Sequence, residues 1–170
     1  MANLMYELSV PMMLKTMSNL MSILDQAAQY AAEKKIDPSV LLNARLYPDM
    51  FALARQIQTT TDQAKGGAAR LAGLPVPKYD DTETSIDELK ARLQKTIDFL
   101  KSVPPEQMKD AEARDITVPL REPLQMKGLP YLQHFVLPNF YFHASAAYAI
   151  LRHNGVALGK RNFLGTLTNL

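Results

Sequence analysis

Four stretches of this chain carry apolar residues at steps of three and four, and no stretch of comparable length alternates as a strand would. The first runs from about Pro11 to Lys34 with Leu14, Met17, Met21, Leu24, Ala28 and Ala31 on one line. The second starts near Pro48 and reaches Ala72, with Met50, Leu53, Ile57, Ala64, Ala68 and Leu71. The third follows Ser85 with Ile86, Leu89, Leu93, Ile97 and Leu100. The fourth, from about Pro130 to His153 or Asn154, is apolar nearly all round, as a helix packed on several sides must be. A 3.6-residue period places each line on one helical face. The spacing predicts an all-α chain: an up-down four-helix bundle, with a long irregular connection between the third and fourth helices. Residues 1–170 are enough for one domain with a single core.

Local signals set the boundaries. Ser9 is placed to cap the first helix, where Pro11 is tolerated in the opening turn. Asp37-Pro38 caps a short turn through Leu42. Tyr47 precedes a proline and is expected to be extended, so the second helix is expected to start near Pro48. Gly66-Gly67 weakens that helix and predicts either close packing or a break. Ser85 and Glu88 form a capping box, and Pro104-Pro105 stops the third helix. Between residues 103 and 128 a helical turn over Glu106–Ala113 is expected. Two short extended pieces, Ile116–Leu120 and Leu124–Met126, would turn at Arg121-Glu122 and pair only at an edge. Pro138 should split or kink the fourth helix, because it removes the N–H partner of the His134 carbonyl. Gly155 can take the left-handed conformation that ends it.

Composition narrows the function classes. The formal net charge of +2 gives no strong field for nucleic acid, and no nucleic-acid partner is expected. The absence of cysteine removes disulfides, thiolate metal sites and a cysteine nucleophile. No window approaches the roughly 20 apolar residues of a membrane helix, and Glu7 interrupts any signal-peptide core, so a cytoplasmic chain without membrane association is expected. The methionines at 12, 13, 17 and 21 read as adaptable core filling. Gly159-Lys160-Arg161 lacks the upstream glycine and strand of a phosphate loop.

The candidate chemistry lies on the fourth helix. Leu132, Val136, Asn139, His143, Ala146 and Ile150 share one face, so His143 should point into the bundle. A buried imidazole is preferentially neutral unless a carboxylate compensates, and Asp49 is the nearest candidate. Asp49, Gln56, Thr60 and Gln63 form a polar line on the second helix that faces either solvent or an internal cavity. Three roles stay open for His143: a core pair, a pocket residue and a metal ligand. Asn139 either satisfies the backbone freed by Pro138 or serves a pocket. Tyr47, Tyr141 and Tyr148 read first as amphipathic core residues. His153 and Asn154 belong to a helix stop, and His134 is undecided between surface and pocket.

The segment LPNFYFHASAAYAILRHNGVALGKRNFLG, residues 137–165, resembles the C-terminal signature of an uncharacterised family in the DinB/YfiT-like superfamily of four-helix bundles. The first helix and the segment ARLYPDMF, residues 44–51, resemble it too. The resemblance implies, for metalloenzymes of that superfamily, a divalent ion held by three histidines, one on the second helix and two at i, i+4 on a later one. Here the i, i+4 pair is Asn139 and His143, and the second helix has no histidine. An Asp49, Asn139 and His143 set suits zinc or nickel poorly. No cofactor or tightly held metal is therefore expected, although a weakly bound divalent ion stays open. Two function classes follow. One is a DinB-like small-molecule-binding or transferase-type protein, with His143 as acid/base group, Asp49 orienting it, Asn139 on the substrate, and Tyr47 and Tyr141 as further ligand contacts. The other is a non-catalytic bundle that acts as a homodimeric interaction protein. Near-uniform apolarity of the fourth helix predicts a homodimer in either case.

Overall fold

Each of the four apolar stretches becomes a helix in the computed structural model, which describes residues 3–167. The third and fourth lines form inner faces as read. On the first helix the buried face is Val10, Met13, Met17, Leu20, Leu24, Ala27 and Ala31, with Leu14, Met21 and Ala28 half-buried at its edge, and Met50 of the second line lies in the turn ahead of its helix. In chain order the helices are α1 Leu4–Glu7, α2 Val10–Lys34, α3 Pro38–Asn43, α4 Leu53–Ala72 and α5 Ile86–Lys101. A two-stranded antiparallel hairpin follows, β1 Asp115–Val118 and β2 Leu124–Lys127, and then α6 Gly128–Tyr131, a π-helical turn Leu132–Val136, α7 Leu137–His153 and α8 Lys160–Leu164. The four long helices α2, α4, α5 and α7 form the bundle. Around it α4 packs on α5 and α7, and α2 packs on the same two, which places α2 and α4 on a diagonal.

Side-chain pairs fix the direction of each helix. Gln56 meets His143 and Gly67 lies under Val136, so α4 and α7 are antiparallel. Asp25 pairs with Lys90 while Asn3 reaches the Pro105 carbonyl, so α2 and α5 are antiparallel as well. Gln58 bonds Glu83 at 2.9 Å and Arg92 bonds Thr61 at 2.7 Å, which sets the starts of α4 and α5 side by side. Those two helices run in the same sense. The segment 73–85 between them must therefore run back along the bundle past a 20-residue helix, a path of about 30 Å at 1.5 Å per residue.

Most local signals act as read. Ser39 N–H bonds Asp37 Oδ1 at 2.9 Å. The capping box closes with Glu88 N–H on Ser85 Oγ at 3.2 Å and Ser85 N–H on a Glu88 carboxylate oxygen at 3.1 Å. Gly155 has φ +93° and ends α7. Two signals act differently. Ser9 does not cap α2: its hydroxyl donates back to the Met5 carbonyl at 2.6 Å, because the short helix α1 precedes it. Pro48 does not open α4. Met50 N–H bonds the Tyr47 carbonyl at 3.0 Å, which closes a turn with Pro48 at its second position, where a fixed φ is equally favoured. The helix begins five residues later, at Leu53. Pro138 does divide the fourth segment, into α6, a π turn and α7, but without a gap in the helical path. The chain widens into the π turn over Leu132–Val136 and Pro138 falls in the first turn of α7, where its missing N–H matters least.

Gly66 and Gly67 lie inside an uninterrupted α4 and permit close packing. A Cβ on Gly67 would sit 2.5 Å from Val136 Cγ1. The glycine lets the π turn press directly onto α4. No helix among the described residues is long and apolar enough to cross a membrane.

Candidate functional site

His143 lies two turns into α7, buried to 9 % exposure, and faces the first turn of α4. Its partner there is Gln56, which is 1 % exposed. Gln56 Nε2 donates to the Phe51 carbonyl at 3.2 Å, which turns its Oε1 toward the imidazole. The ring nitrogen Nδ1 stands 2.7 Å from that oxygen. An amide oxygen only accepts, so Nδ1 carries the proton and the lone pair falls to Nε2. Nε2 makes no hydrogen bond among the described residues. It is not sealed either, since the one buried side-chain nitrogen or oxygen without a partner there is Arg114 Nη1.

The surroundings keep the ring neutral. Burial lowers the His143 pKa from its ordinary value, and the Arg55 guanidinium lowers it further. Phe51 stacks on the ring with centroids 6.1 Å apart and planes at 16°, and Phe142 meets it edge-on at 5.2 Å and 90°. Arg55 lies over the Phe51 ring, 5.7 Å from its centroid, and pairs with Asp81. The site is thus an uncharged base with one open lone pair, held between two phenyl rings.

Of the five residues singled out in the sequence, the structure brings only His143 to this position. Asp49 stands exposed in the turn ahead of α4 and makes no hydrogen bond or ion pair with His143 among the described residues. The orienting group is Gln56, which lay on the same polar line as read in the sequence. The correction follows from the turn at Pro48, which takes Asp49 off the helix. Tyr47, in the same turn, is 66 % exposed. Asn139 is half-buried and its amide donates to the Phe135 carbonyl at 2.6 Å, so it serves the backbone beside Pro138. Tyr141 faces α2 instead. Its phenol pKa is raised by burial and brought part-way back by a hydrogen bond with Thr16.

A second polar centre escaped the sequence reading. Arg92 on α5 is buried, and its guanidinium makes a full set of bonds: Nε to Thr61 Oγ1 at 2.7 Å, Nη1 to the Asp80 carbonyl and Glu83 at 3.0 Å each, and Nη2 to Asp62 at 2.9 Å and Asp81 at 3.0 Å. Lys65, Arg92 and Lys95 surround the Tyr79 ring at 4.8, 5.3 and 4.2 Å. This network straps the 73–85 segment to α4 and α5. The acidic run Asp80-Asp81-Thr82-Glu83 ahead of an arginine beside Leu89 and Leu93 was the signal available for it.

Residues 5–164 match the family described as a domain of unknown function, DUF1993. The chain belongs to this family. It is also similar to the crystal structure of a DinB family member from Shewanella denitrificans, at 38% identity and TM-score 0.93, with 98% of this chain and 95% of that one covered. No curated protein matches. The bundle of this DUF1993 chain is thus a DinB-type bundle. Its residues do not fit the three-histidine centre that the sequence resemblance implied: α4 has no histidine, and the amide of Asn139 is engaged by Phe135. Among the described residues no three His, Asp or Glu side chains converge.

Proposed function

We propose that this DUF1993 protein binds a small molecule, as a binding or transferase-type protein, and that His143 Nε2 is the acid/base group toward it. The observation that carries this reading is the 2.7 Å bond from His143 Nδ1–H to Gln56 Oε1, with the Gln56 amide itself fixed by the Phe51 carbonyl. It presents a neutral imidazole with one defined lone pair, the form a general base requires. Phe51 and Phe142 supply apolar surface for a ligand at either side of the ring. Tyr47 and Asp49, on the turn leading into Phe51, are the polar contacts available from the solvent side, and Asn139 and Tyr141 are left with supporting roles.

The test is ¹⁵N-edited NMR of the His143 ring together with a metabolite screen by thermal shift. The expected result is a proton on Nδ1, a neutral ring at neutral pH, and ligands that stabilise the wild type but not His143→Gln. A proton on Nε2, or hits that stabilise His143→Gln equally, would sink the reading.

A second reading is a non-catalytic homodimeric bundle. Its support is the exposed aromatic pair that flanks His143, Phe51 and Phe142, 46 % and 59 % exposed. Exposed aromatics of this kind are surfaces that partners cover. Sedimentation at micromolar concentration separates the cases, since a monomer removes this reading.

A further inference from the structure

We propose that the cleft between the C-terminal half of α4, the π turn and the hairpin tip is a second ligand site, with Arg70 as the anchor for a small organic carboxylate that has an apolar body. The cleft has a volume of about 350 Å³, within the range of small-molecule sites. Its apolar wall is Val76, Val118, Leu120 and Phe135.

Arg70 is half-buried and forms no ion pair among the described residues. Its single hydrogen bond there is from Nη1 to the Tyr131 hydroxyl, at 3.2 Å. The neighbouring carboxylate, Asp62, is already engaged by Lys65 and Arg92, each at 2.9 Å. Lys65, which lines the cleft together with Asp62, is paired with that carboxylate and lies on the face of Tyr79. The cleft therefore holds one uncompensated cation whose planar fork matches a carboxylate in two parallel bonds.

Two further features build the seat. A Cβ on Gly66 would lie 2.7 Å from Arg70 Nη1, so the guanidinium rests against bare helix backbone. A helix-interior glycine costs about 1 kcal/mol against alanine, and here it makes room for that fork. Tyr131 stacks on Phe135 with centroids 5.7 Å apart and planes at 16°, which fixes both the hydroxyl that steers Arg70 and the aromatic wall. The bland alternative is a cation completing a helix C-terminus, which needs only the helix dipole. That role explains neither the glycine beneath the guanidinium nor the apolar cleft before it. The site is about 20 Å along α4 from Gln56, so it is independent of the His143 reading.

The test is titration of ¹⁵N-labelled protein with sodium benzoate, followed at Arg70 Nε–H and the Gly66 and Leu120 amides, with inorganic phosphate as a second arm. Saturable shifts with benzoate are expected, weakened about tenfold or more in Arg70→Gln, the size of one lost charged contact. Phosphate should not displace benzoate, since it gains nothing from the apolar wall. Leu120 is exposed, so Leu120→Glu keeps the test decisive even if Arg70→Gln fails to fold: the new carboxylate should weaken benzoate by a similar factor. Shifts that do not saturate, binding unchanged in Leu120→Glu, or displacement by phosphate at equal affinity would each overturn the assignment.

Discussion

Gln56 and His143 are joined by a 2.7 Å hydrogen bond across the α4–α7 interface, eighty-seven positions apart in sequence. Both groups are buried, so each is the other's replacement for water. A one-sided change leaves the survivor unsatisfied, and a two-sided apolar change does not.

Gln56→Leu should therefore cost about 1–3 kcal/mol. The double change Gln56→Leu with His143→Leu should cost less than the sum of the single changes. Chemical denaturation of the four proteins reads the coupling. Additive costs would mean that the pair contributes nothing as a pair.

Stability should depend on pH through His143. Its folded pKa is depressed below the ordinary value of 6.5. The unfolded chain then binds the proton more readily, so the contribution is complete above about pH 6.5 and is lost as the pH falls toward and through the folded value. Melting temperatures across about pH 5–7.5, where an ordinary histidine titrates, should fall more on the acid side in wild type than in His143→Gln. Parallel curves would refute it.

Gly67→Ala should destabilise, although alanine is the better helix former by about 1 kcal/mol. The new methyl meets Val136 at 2.5 Å, and overpacking of this kind costs about 1–3 kcal/mol. Val136→Ala in the same chain should restore much of the loss. Stabilisation by Gly67→Ala alone would show that the π turn does not press on α4.

Arg92→Met should release the 73–85 strap. Breaking a buried charge network costs about 3–5 kcal/mol when the partners stay buried. Asp62 and Asp81 keep about a third of their side-chain surface in water, which sets the expectation nearer about 2 kcal/mol. Hydrogen exchange should rise in residues 79–85 before it rises in α5. Exchange confined to global unfolding would contradict a strap.

The helices were legible because their signals are local. Ser85 and Glu88 lie one turn apart, and the line from Ile86 to Leu100 needs only the helical period. The inward face of His143 was legible for the same reason. Its partner was not. Asp49 and Gln56 lay on one line as long as Pro48 was taken to open the helix, and a proline suits the second position of a turn as well as the first turn of a helix. A carboxylate then looked the better match for an imidazole, while an uncharged amide resembles any solvent-facing glutamine. Arg92 was hidden differently: its five N–H donors find partners on α4 and on the 73–85 segment, and no window of sequence contains both.

The π turn also sets an angle. One extra residue in a helix of 3.6 residues per turn rotates all that precedes it by about 100° relative to all that follows. Tyr131 lies ahead of it and meets Arg70, while Phe140 and His143 lie behind it and aim at the core and Gln56. Deleting a single residue between Leu132 and Val136 would leave a continuous helix able to satisfy one of those alignments but not both. The two ends of the molecule are phased against each other by that one turn.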